Sequence, residues 1–299
     1  MGDSALCDLG SNGRAAFTTD GFVVKPLFFP GGDIGSLAVS GTVNDLAVSG
    51  AVPRYLSVGM ILEAGFEIDA LRRIAGSIAE TARRTGVRVV TGDTKVVERG
   101  HADGIYITTA GIGTLDGGWA LPAQRVEPGD AVLVTGPIAC HGMAVMAARE
   151  AMGFSPPIES DAKPLANLLR ALLETGLPVH AMRDPTRGGV AATLTEWAGP
   201  NVDIVVEESA LPLRADVRAA CALLGMDPLF VANEGVALIA LPEGSASSAL
   251  EVLRRHPDGA FAARIAAVEP GSGRVLVRAG TGALRRVRMP SGELLPRIC

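Results

Sequence analysis

Residues 34–49 constrain the fold of this chain most, because nearly all of them are small or apolar. A helix that is apolar on several sides must be covered from several directions. Asn44 and Asp45 lie within this stretch, and a buried polar or charged side chain has to be paired or to bind a metal. The sequence therefore predicts a helix that is buried on several faces. At 299 residues with 48% hydrophobic residues, the chain is long enough to cover it and to form two domains.

The segments around this helix predict an α+β first domain. Apolar runs predict four strands, at residues 15–19, 56–62, 87–90 and 105–112. The third is expected to end in a turn at residues 91–94. Apolar residues recur at three- and four-residue spacing from Leu71 to Ala82, which predicts an amphipathic helix closed by Gly86.

Composition changes between Leu121 and Asp130, where turn-forming residues precede an apolar strand. We place a domain boundary there, which gives a first domain of residues 1–121, a second of residues 122–290 and a tail of residues 291–299. The second domain is predicted to contain helices from about residue 142 and at residues 165–173, 190–197 and 214–224. Its predicted strands are residues 131–134, 229–232 and 236–241, with short ones near residues 275 and 287.

Charge and residue usage exclude several classes of function. The formal net charge is −5 without clusters of basic residues, which argues against binding to nucleic acid or to an anionic membrane. No apolar run is long enough to span a membrane, and the start does not resemble a signal peptide. The four cysteines are far apart without a CxxC pair, which disfavours zinc and redox motifs and favours a reducing cytoplasm. The scattered histidines are expected to be structural or exposed, and there is no nucleophile elbow of a Ser-His-Asp hydrolase.

Four aspartates lie at predicted strand ends or on the apolar helix, beside Gly, Thr, Ser or Asn. They are Asp3, Asp20, Asp45 and Asp93. Mg²⁺ prefers oxygen ligands and is usually held by one or two protein carboxylates together with phosphate. Strand ends at one edge of a sheet would bring such acids together. The alternative for each of them is a turn former or a helix cap, although a buried acid within a helix, such as Asp45, fits that explanation least well.

Three further features suggest groups that bind an anion or transfer a proton. Residues 184–189 combine two glycines with Arg187 ahead of a predicted helix, as an anion-binding turn does, although a simple helix-entry turn has the same composition. Lys95 follows a glycine-containing segment, where it would neutralise phosphate or move a proton, or else be an ordinary exposed lysine. Glu234 lies between two predicted apolar strands, as a base of raised pKa or as an acceptor for nearby backbone N–H groups.

The sequence ends on Cys299, a thiol beside its own α-carboxylate. A thiol is nucleophilic only as the thiolate; the carboxylate raises its pKa and the neighbouring Arg297 lowers it. The prenylation signal places its cysteine four residues from the end, which disfavours a lipid anchor of that kind at Cys299. The thiol is incidental unless a site elsewhere in the chain receives it.

Seven motifs occur in a fixed order along the chain. They are Gly2-Asp3-Ser4-Ala5, Thr18-Thr19-Asp20, Val43-Asn44-Asp45-Leu46, Thr91-Gly92-Asp93-Thr94-Lys95, Asp184-Pro185-Thr186-Arg187-Gly188-Gly189, Asn233-Glu234-Gly235 and Pro296-Arg297-Ile298-Cys299. This set resembles the HypE family of hydrogenase maturation proteins over essentially the whole chain. The first motifs also look like those of the wider ATP-using superfamily of aminoimidazole ribonucleotide synthetase, selenophosphate synthetase and thiamine-monophosphate kinase.

The resemblance implies an α+β protein of two domains, each a mixed or antiparallel sheet covered by helices, with a flexible C-terminal tail. It implies a homodimer formed through the first domain, with ATP and Mg²⁺ bound between the domains. In this family a HypF-type carbamoyltransferase places a carbamoyl group on the terminal cysteine. ATP then activates the carboxamide oxygen, phosphate leaves and a thiocyanate remains, from which cyanide passes to iron held by a HypC–HypD complex for a [NiFe] hydrogenase.

The resemblance also assigns roles to individual residues. The catalytic group comprises Cys299, Glu234 and Lys95, of which the last two are expected to transfer protons. The residues expected to bind ATP are Asp20, Thr42, Asn44, Asp93, Thr94, Arg187, Gly188 and Gly189. The metal ligands are expected to be Asp3, Asp45 and Asp93.

Two departures from the family pattern bear on these roles. Family members usually carry a longer N-terminal segment with a glycine-rich stretch that is expected to touch the phosphates. This sequence begins after it, which leaves open a trimmed start or weakened nucleotide binding. A motif commonly written with two adjacent acids is Asp3-Ser4 here, so one expected metal ligand becomes a hydroxyl. The rival hypotheses are a small-molecule ATP-dependent synthetase or kinase, and a non-catalytic maturation scaffold.

Overall fold

A computed structural model describes residues 3–10, 13–117, 119, 121–289 and 298–299. In the first part of the chain, five strands form a mixed sheet in the order β1-β2-β7-β5-β6, with only β5 and β6 parallel to each other. Their bounds are β1 Ala5–Asp8, β2 Arg14–Phe22, β5 Val52–Glu63, β6 Arg88–Val97 and β7 Ile105–Thr114. The short strands β3 Phe28–Phe29 and β4 Gly32–Asp33 form a separate hairpin.

Two helices cover one face of this sheet, α1 Ile34–Val48 and α2 Ile68–Thr85. The Asp33 side chain caps α1, because it accepts hydrogen bonds from two backbone N–H groups of the first turn. A Cβ at Gly35 would lie 2.6 Å from the Ile74 carbonyl oxygen, so glycine is needed where the two helices approach each other. Helix α2 ends at Gly86 in the left-handed conformation, with φ of 73°, as the sequence predicted.

The predicted turn at residues 91–94 is wrong. Strand β6 runs unbroken to Val97 because it pairs in parallel with β5 along its length. A Cβ at Gly92 would lie 2.3 Å from the Val58 carbonyl oxygen, so this glycine serves close strand packing and not a turn.

The second part of the chain forms a mixed sheet of seven strands in the order β14-β13-β10-β12-β8-β11-β9. Their bounds are β8 Asp130–Val134, β9 Ala181–Arg183, β10 Val202–Glu207, β11 Leu238–Pro242, β12 Ala263–Pro270, β13 Val275–Arg278 and β14 Leu284–Arg286. The helices are α3 Cys140–Arg149, α4 Ala166–Leu173, α5 Gly189–Trp197, α6 Ala215–Leu224 and α7 Ala246–Arg255. The strand predicted at residues 229–232 is wrong, because Pro228–Phe230 forms a 3₁₀ turn capped by the Asp227 side chain.

Helix α1 is buried on several faces, as its composition predicted. It packs on β2 and β7 on one side and on α2 and α4 on the others, and all but two of its residues are buried. Asn44 joins it to the second half of the chain. Its amide nitrogen donates to the backbone carbonyls of Lys163 and Glu234, and its oxygen accepts from the Leu165 N–H at 2.7 Å.

The prediction of an α+β protein with two helix-covered sheets is confirmed. The domain limits at residues 121 and 290 stay predictions. Residues 291–297 of the predicted flexible tail lie outside the described residues, whereas Ile298 and Cys299 are packed against the main core. Within the ranges given above, no helix is long and apolar enough to cross a membrane.

Candidate active site

Three aspartates from distant parts of the chain meet between the two sheets. Asp3 precedes β1, Asp45 lies in the last turns of α1, and Asp184 follows β9 directly. Each offers a carboxylate oxygen, and these atoms lie within 4.8 Å of one another. We call Asp3, Asp45 and Asp184 the acidic cluster.

Burial and mutual repulsion raise the pKa values in the acidic cluster. Burial, together with the charges of Asp184 and Asp20, raises the pKa of Asp45 to about 10. Burial also raises the pKa of Asp3 to about 6, although the Arg183 guanidinium opposes the shift, and it raises the pKa of Asp184 strongly. A hard dication surrounded by oxygen ligands would relieve this repulsion, so the donor set fits Mg²⁺.

Arg183 holds Asp3 in the acidic cluster. Its Nε lies 2.7 Å from Asp3 Oδ1 and its Nη1 lies 2.7 Å from Glu196 Oε2. The neighbouring hydroxyl of Ser4 donates to the Ser49 hydroxyl at 2.6 Å. A hydroxyl metal ligand at Ser4 stays a prediction.

The turn before α5 carries a cation and two glycines beside the cluster. Gly188 and Gly189 have φ of 77° and 60°, in the region that favours glycine. A Cβ at Gly189 would lie 2.5 Å from the Val231 carbonyl oxygen. Arg187 lies near enough to Glu234 and Cys299 for its charge to oppose the rise in the pKa of each. The turn thus brings positive charge and the start of a helix to an otherwise acidic site.

Glu234 is buried and held by its backbone. The backbone N–H groups of Glu234 and Gly235 donate to Asp161 Oδ2 at 3.0 and 2.7 Å. Burial, with the charge of Asp184 next, raises the pKa of Glu234 well above its usual range. Its Oε1 atom is buried and has no hydrogen-bond partner among the described residues. A buried acceptor without a donor is costly, and such groups in native proteins commonly serve a function.

The last residue of the sequence lies against this carboxyl group. The thiol of Cys299 lies close to the Glu234 side chain, and burial with the charge of Glu234 raises the pKa of the thiol to about 12. Asp20 adds a further negative charge that affects both groups. The unmodified thiol in this position is therefore protonated and a poor nucleophile.

The structure leaves three of the predicted site residues away from the site of their own chain. They are Asp93, Thr94 and Lys95. On β6, Asp93 lies opposite Gly59 of β5. Asp20 of β2 belongs to the adjacent row of paired residues, which also contains Thr109 of β7 and Val58 of β5. Because successive residues of a strand point to opposite faces, the Asp93 and Asp20 side chains lie on opposite faces of the sheet. Asp93 forms an exposed ion pair with Lys95 at 3.0 Å, and Thr94 is exposed.

Two other residues predicted to bind nucleotide have internal partners. The hydroxyl of Thr42 hydrogen-bonds to the hydroxyl of Thr109 between α1 and β7, and both residues are buried. Asn44 uses its side-chain amide to join the two halves of the chain. In these positions the side chains of Thr42 and Asn44 bond to other parts of the chain and help to fix the elements that form the site.

The sequence did not identify four residues that shape the site. Asp184 was recognised only as part of an anion-binding turn, although an acid directly after a strand was a signal for the metal site. Arg183 beside it, Asp161 behind Glu234 and the buried His141 were not singled out. Their partners are 20 or more residues away or come from other elements, and no local spacing reveals such pairs.

Family models describe both halves of the chain. The model of the N-terminal domain of AIR synthase related proteins matches residues 1–115. The model of the C-terminal domain of the same proteins matches residues 127–278. The acidic cluster takes residues from both matched regions.

Known proteins resemble the chain over nearly its full length. Carbamoyl dehydratase HypE of Rhodobacter capsulatus is 47% identical over 299 residues, which cover 99% of this chain and 87% of the relative. The crystal structure of HypE in complex with ATP matches with a TM-score of 0.92 at 44% identity, covering 100% of this chain and 90% of that one. A chain of the HypE–HypF complex matches with a TM-score of 0.92 at 44% identity, covering 97% and 94%.

Proposed function

The chain belongs to the HypE family of carbamoyl dehydratases, which are hydrogenase maturation enzymes, and we propose that it uses ATP to dehydrate a carbamoyl group carried by its own Cys299. The product on the cysteine is a thiocyanate. The cyanide then serves as an iron ligand of a [NiFe] hydrogenase.

One observation carries this proposal. Glu234 Oε1 is a buried acceptor that lacks a donor, and it belongs to the carboxyl group that contacts the Cys299 thiol. A carbamoyl group on the sulfur would bring an NH₂ group to this place, with two N–H donors that a free cysteine lacks. The same carboxyl group is then positioned to accept a proton from that nitrogen. Its raised pKa makes it a stronger base than an ordinary glutamate.

We propose that ATP binds with its phosphates between the acidic cluster and the turn before α5. Arg187 supplies positive charge and Gly188 a backbone N–H group, whereas the Gly189 N–H donates to the Thr186 carbonyl and shapes the turn. Asp20 lies beside them. Asp3, Asp45 and Asp184 would hold Mg²⁺, which offsets negative charge on a transferring phosphoryl group. Support comes from the all-oxygen donor set of the acidic cluster and from the ATP complex of the 44% identical HypE.

The reaction proceeds in two balanced steps. The carboxamide oxygen of S-carbamoyl Cys299 attacks the γ-phosphorus of ATP, and ADP leaves with the electrons of the broken P–O bond. Glu234 accepts a proton from the carboxamide nitrogen. The C–O bond then breaks, phosphate leaves with that electron pair, and loss of the second N–H proton gives the C≡N group. Carboxamide and ATP thus give thiocyanate, ADP, phosphate and a proton.

We propose that the protein acts as a homodimer through the outer face of the first sheet. Phe17, Ile112 and Tyr55 form one row across β2, β7 and β5 on this face, and each is more than a third exposed. The edge strand β6 has almost only exposed residues. Apolar rows of this kind favour association. Asp93 and Lys95 lie on this face of β6, and Thr94 lies between them, so in a dimer they would act on ATP, Mg²⁺ or the second N–H proton from the partner copy.

We propose two protein partners. A HypF-type carbamoyltransferase would supply the carbamoyl group, which the complex of the related HypE with HypF supports. A HypC–HypD iron complex would accept the cyanide. The proposed reaction requires a free thiol at Cys299, and all four cysteines are free. We therefore place the reaction in the reducing cytoplasm.

Mass spectrometry of the C-terminal peptide tests this function. The full chain is incubated with a HypF-type transferase and carbamoyl phosphate, and then with Mg-ATP or without it. We expect Cys299 to gain a carbamoyl group and then to lose one water only when ATP is present, and the Cys299→Ala variant to remain unmodified. An unmodified tail with ATP turnover on a small molecule would favour a synthetase or kinase, and an unmodified tail without turnover would favour a scaffold.

A further inference from the structure

His141 connects the last residues of the sequence to the fixed part of the site. It lies in the first turn of α3 and its side chain is fully buried. Its Nε2 lies 2.8 Å from the carbonyl oxygen of Ile298, and its Nδ1 lies 2.8 Å from the hydroxyl of Ser160. The ring of Phe29 packs edge-on against it, with 5.4 Å between ring centroids.

The partners of His141 determine which ring nitrogen carries the proton. The Ile298 carbonyl is only an acceptor, so Nε2 must donate to it. Burial lowers the pKa of His141, so the ring is neutral and Nδ1 is bare. The Ser160 oxygen accepts from the Ala162 N–H at 3.0 Å, which leaves its O–H free to donate to Nδ1. Ser160 thus selects the tautomer that binds the Ile298 carbonyl.

The same short segment also fixes Glu234. Asp161 follows Ser160; its Oδ1 accepts from the His141 N–H at 2.7 Å and its Oδ2 accepts from the Glu234 N–H at 3.0 Å. The histidine that contacts the residue before Cys299 and the carboxyl group that contacts Cys299 therefore share one support. This segment fixes the distance between His141 and Glu234, because the backbone N–H groups of both residues donate to Asp161.

We propose that His141 is a positioning residue for the dehydration, which holds the Ile298 carbonyl so that the group on Cys299 lies opposite Glu234. This inference rests on the proposed function of Cys299. Ile298 is 2% exposed and Cys299 packs beside it, so a transferase reaches the sulfur only after this hydrogen bond breaks. Weakening the bond has opposite effects on the two half-reactions. It exposes the thiol to reagents and it slows the ATP-dependent step.

Matched variants of the full chain test this inference. His141→Leu removes the donor, whereas His141→Gln keeps an N–H donor at similar reach. Ser160→Ala leaves the ring in place but removes the hydroxyl that selects the tautomer. Alkylation of each cysteine by iodoacetamide is followed by mass spectrometry, with exposed Cys7 and buried Cys140 and Cys221 as internal references.

For His141→Leu we expect Cys299 to be alkylated about tenfold faster while the other three cysteines react as before, and S-carbamoyl Cys299 to be dehydrated roughly tenfold more slowly with an unchanged KM for ATP. His141→Gln should restore both rates to within about threefold of the wild type, and Ser160→Ala should fall between. Equal Cys299 alkylation in the wild type and His141→Leu overturns the inference. If Cys140 also becomes exposed to alkylation in His141→Leu, helix α3 has opened. An unchanged rate of Cys299 alkylation in Ser160→Ala then overturns the inference.

The two readouts separate this inference from the proposed function. Alkylation requires neither ATP nor a carbamoyl group. If the wild type fails to dehydrate S-carbamoyl Cys299 but the alkylation rates follow the order given above, the proposed function fails and the positioning by His141 stands. If dehydration occurs and the alkylation rates do not respond, the function stands and the positioning fails.

Discussion

The thiol of Cys299 lies close to Glu234, a buried carboxyl group whose Oε1 atom has no hydrogen-bond partner among the residues described. The pair is built from the last residue of the sequence and from a segment held by Asp161. The free thiol is protonated in this position, with a pKa of about 12. The geometry therefore suits a group already attached to the sulfur better than a nucleophilic attack by the sulfur itself.

The acidic cluster predicts that Mg²⁺ stabilises the protein more at higher pH. The pKa of Asp45 is raised to about 10 and that of Asp3 to about 6, both above their values in the unfolded chain. An acid with a raised folded pKa opposes folding increasingly as pH rises from its unfolded pKa to its folded one. Protons compete with the cation over the same range. We expect near-saturating Mg²⁺ to raise Tm by roughly 5 °C at about pH 8 and by clearly less at about pH 6.

Asp45→Asn is the matching variant, measured by thermal denaturation. Without Mg²⁺ it should be more stable than the wild type at about pH 8, because a repelled acid is gone, and the Tm gain from Mg²⁺ should largely disappear. Asp69→Asn, which changes an exposed acid on α2, serves as the control and should keep the full gain. Equal gains in the wild type and in Asp45→Asn would argue against a cation site in the acidic cluster.

The row of apolar residues on the first sheet predicts the effect of a charge at its centre. Ile112 is 43% exposed and lies between Phe17 and Tyr55. We expect Ile112→Glu to weaken the homodimer by at least about tenfold, because the charge loses water on association. Light scattering after size exclusion gives the mass. Phe261→Glu, at a residue 70% exposed outside this sheet, should remain dimeric. A wild-type monomer, or a dimer in both variants, would contradict the proposed interface.

Asp203 on β10 predicts a pH-dependent contribution to stability. Its carboxylate accepts from the Arg274 side chain and from the backbone N–H groups of Ser272 and Arg274. The Arg274 hydrogen bonds lower the pKa of Asp203 to about 2. A lowered folded pKa stabilises the protein above the unfolded pKa, and this stabilisation is lost as pH falls through the folded one.

We therefore expect Asp203→Asn to lower the free energy of unfolding at about pH 7, and the difference from the wild type to shrink as pH falls from about 4 towards about 2. Urea unfolding at a series of pH values measures this difference. A difference that stays constant across the series would mean that the charge of Asp203 does not matter. Asp116→Asn, at a half-exposed ion pair with Arg54, should change stability little at any pH.

Sequence patterns predicted the elements that local periodicity and capping determine. Helix α2, its end at Gly86 and the buried α1 follow from residue spacing and composition. The patterns failed where a glycine serves packing: Gly92 resembled a turn residue, but it allows β6 to approach Val58. Such a contact depends on a neighbouring strand, which local sequence does not specify.

The candidate site likewise contains residues that the sequence identifies and residues that only the fold reveals. Asp45 and Glu234 were identified because an acid in an apolar setting needs a reason, and the structure places both where pKa values are strongly raised. His141 was not identified, because its role depends on Ile298, 157 residues further along the chain. Residue type and spacing predict which groups need a partner, and only the fold shows which partner they have.

The rate of water loss from S-carbamoyl Cys299 in Glu234→Gln tests whether Glu234 is the base of the dehydration. Glutamine keeps the shape of Glu234 but cannot accept a proton. In the wild type the rate should rise with pH until the raised pKa of Glu234 is passed, because only the carboxylate is a base. In Glu234→Gln we expect the rate to fall by about 10²- to 10⁴-fold and to lose this pH dependence, while carbamoylation continues. Dehydration of Glu234→Gln at the wild-type rate, with the same pH dependence, would mean that Glu234 is not the base.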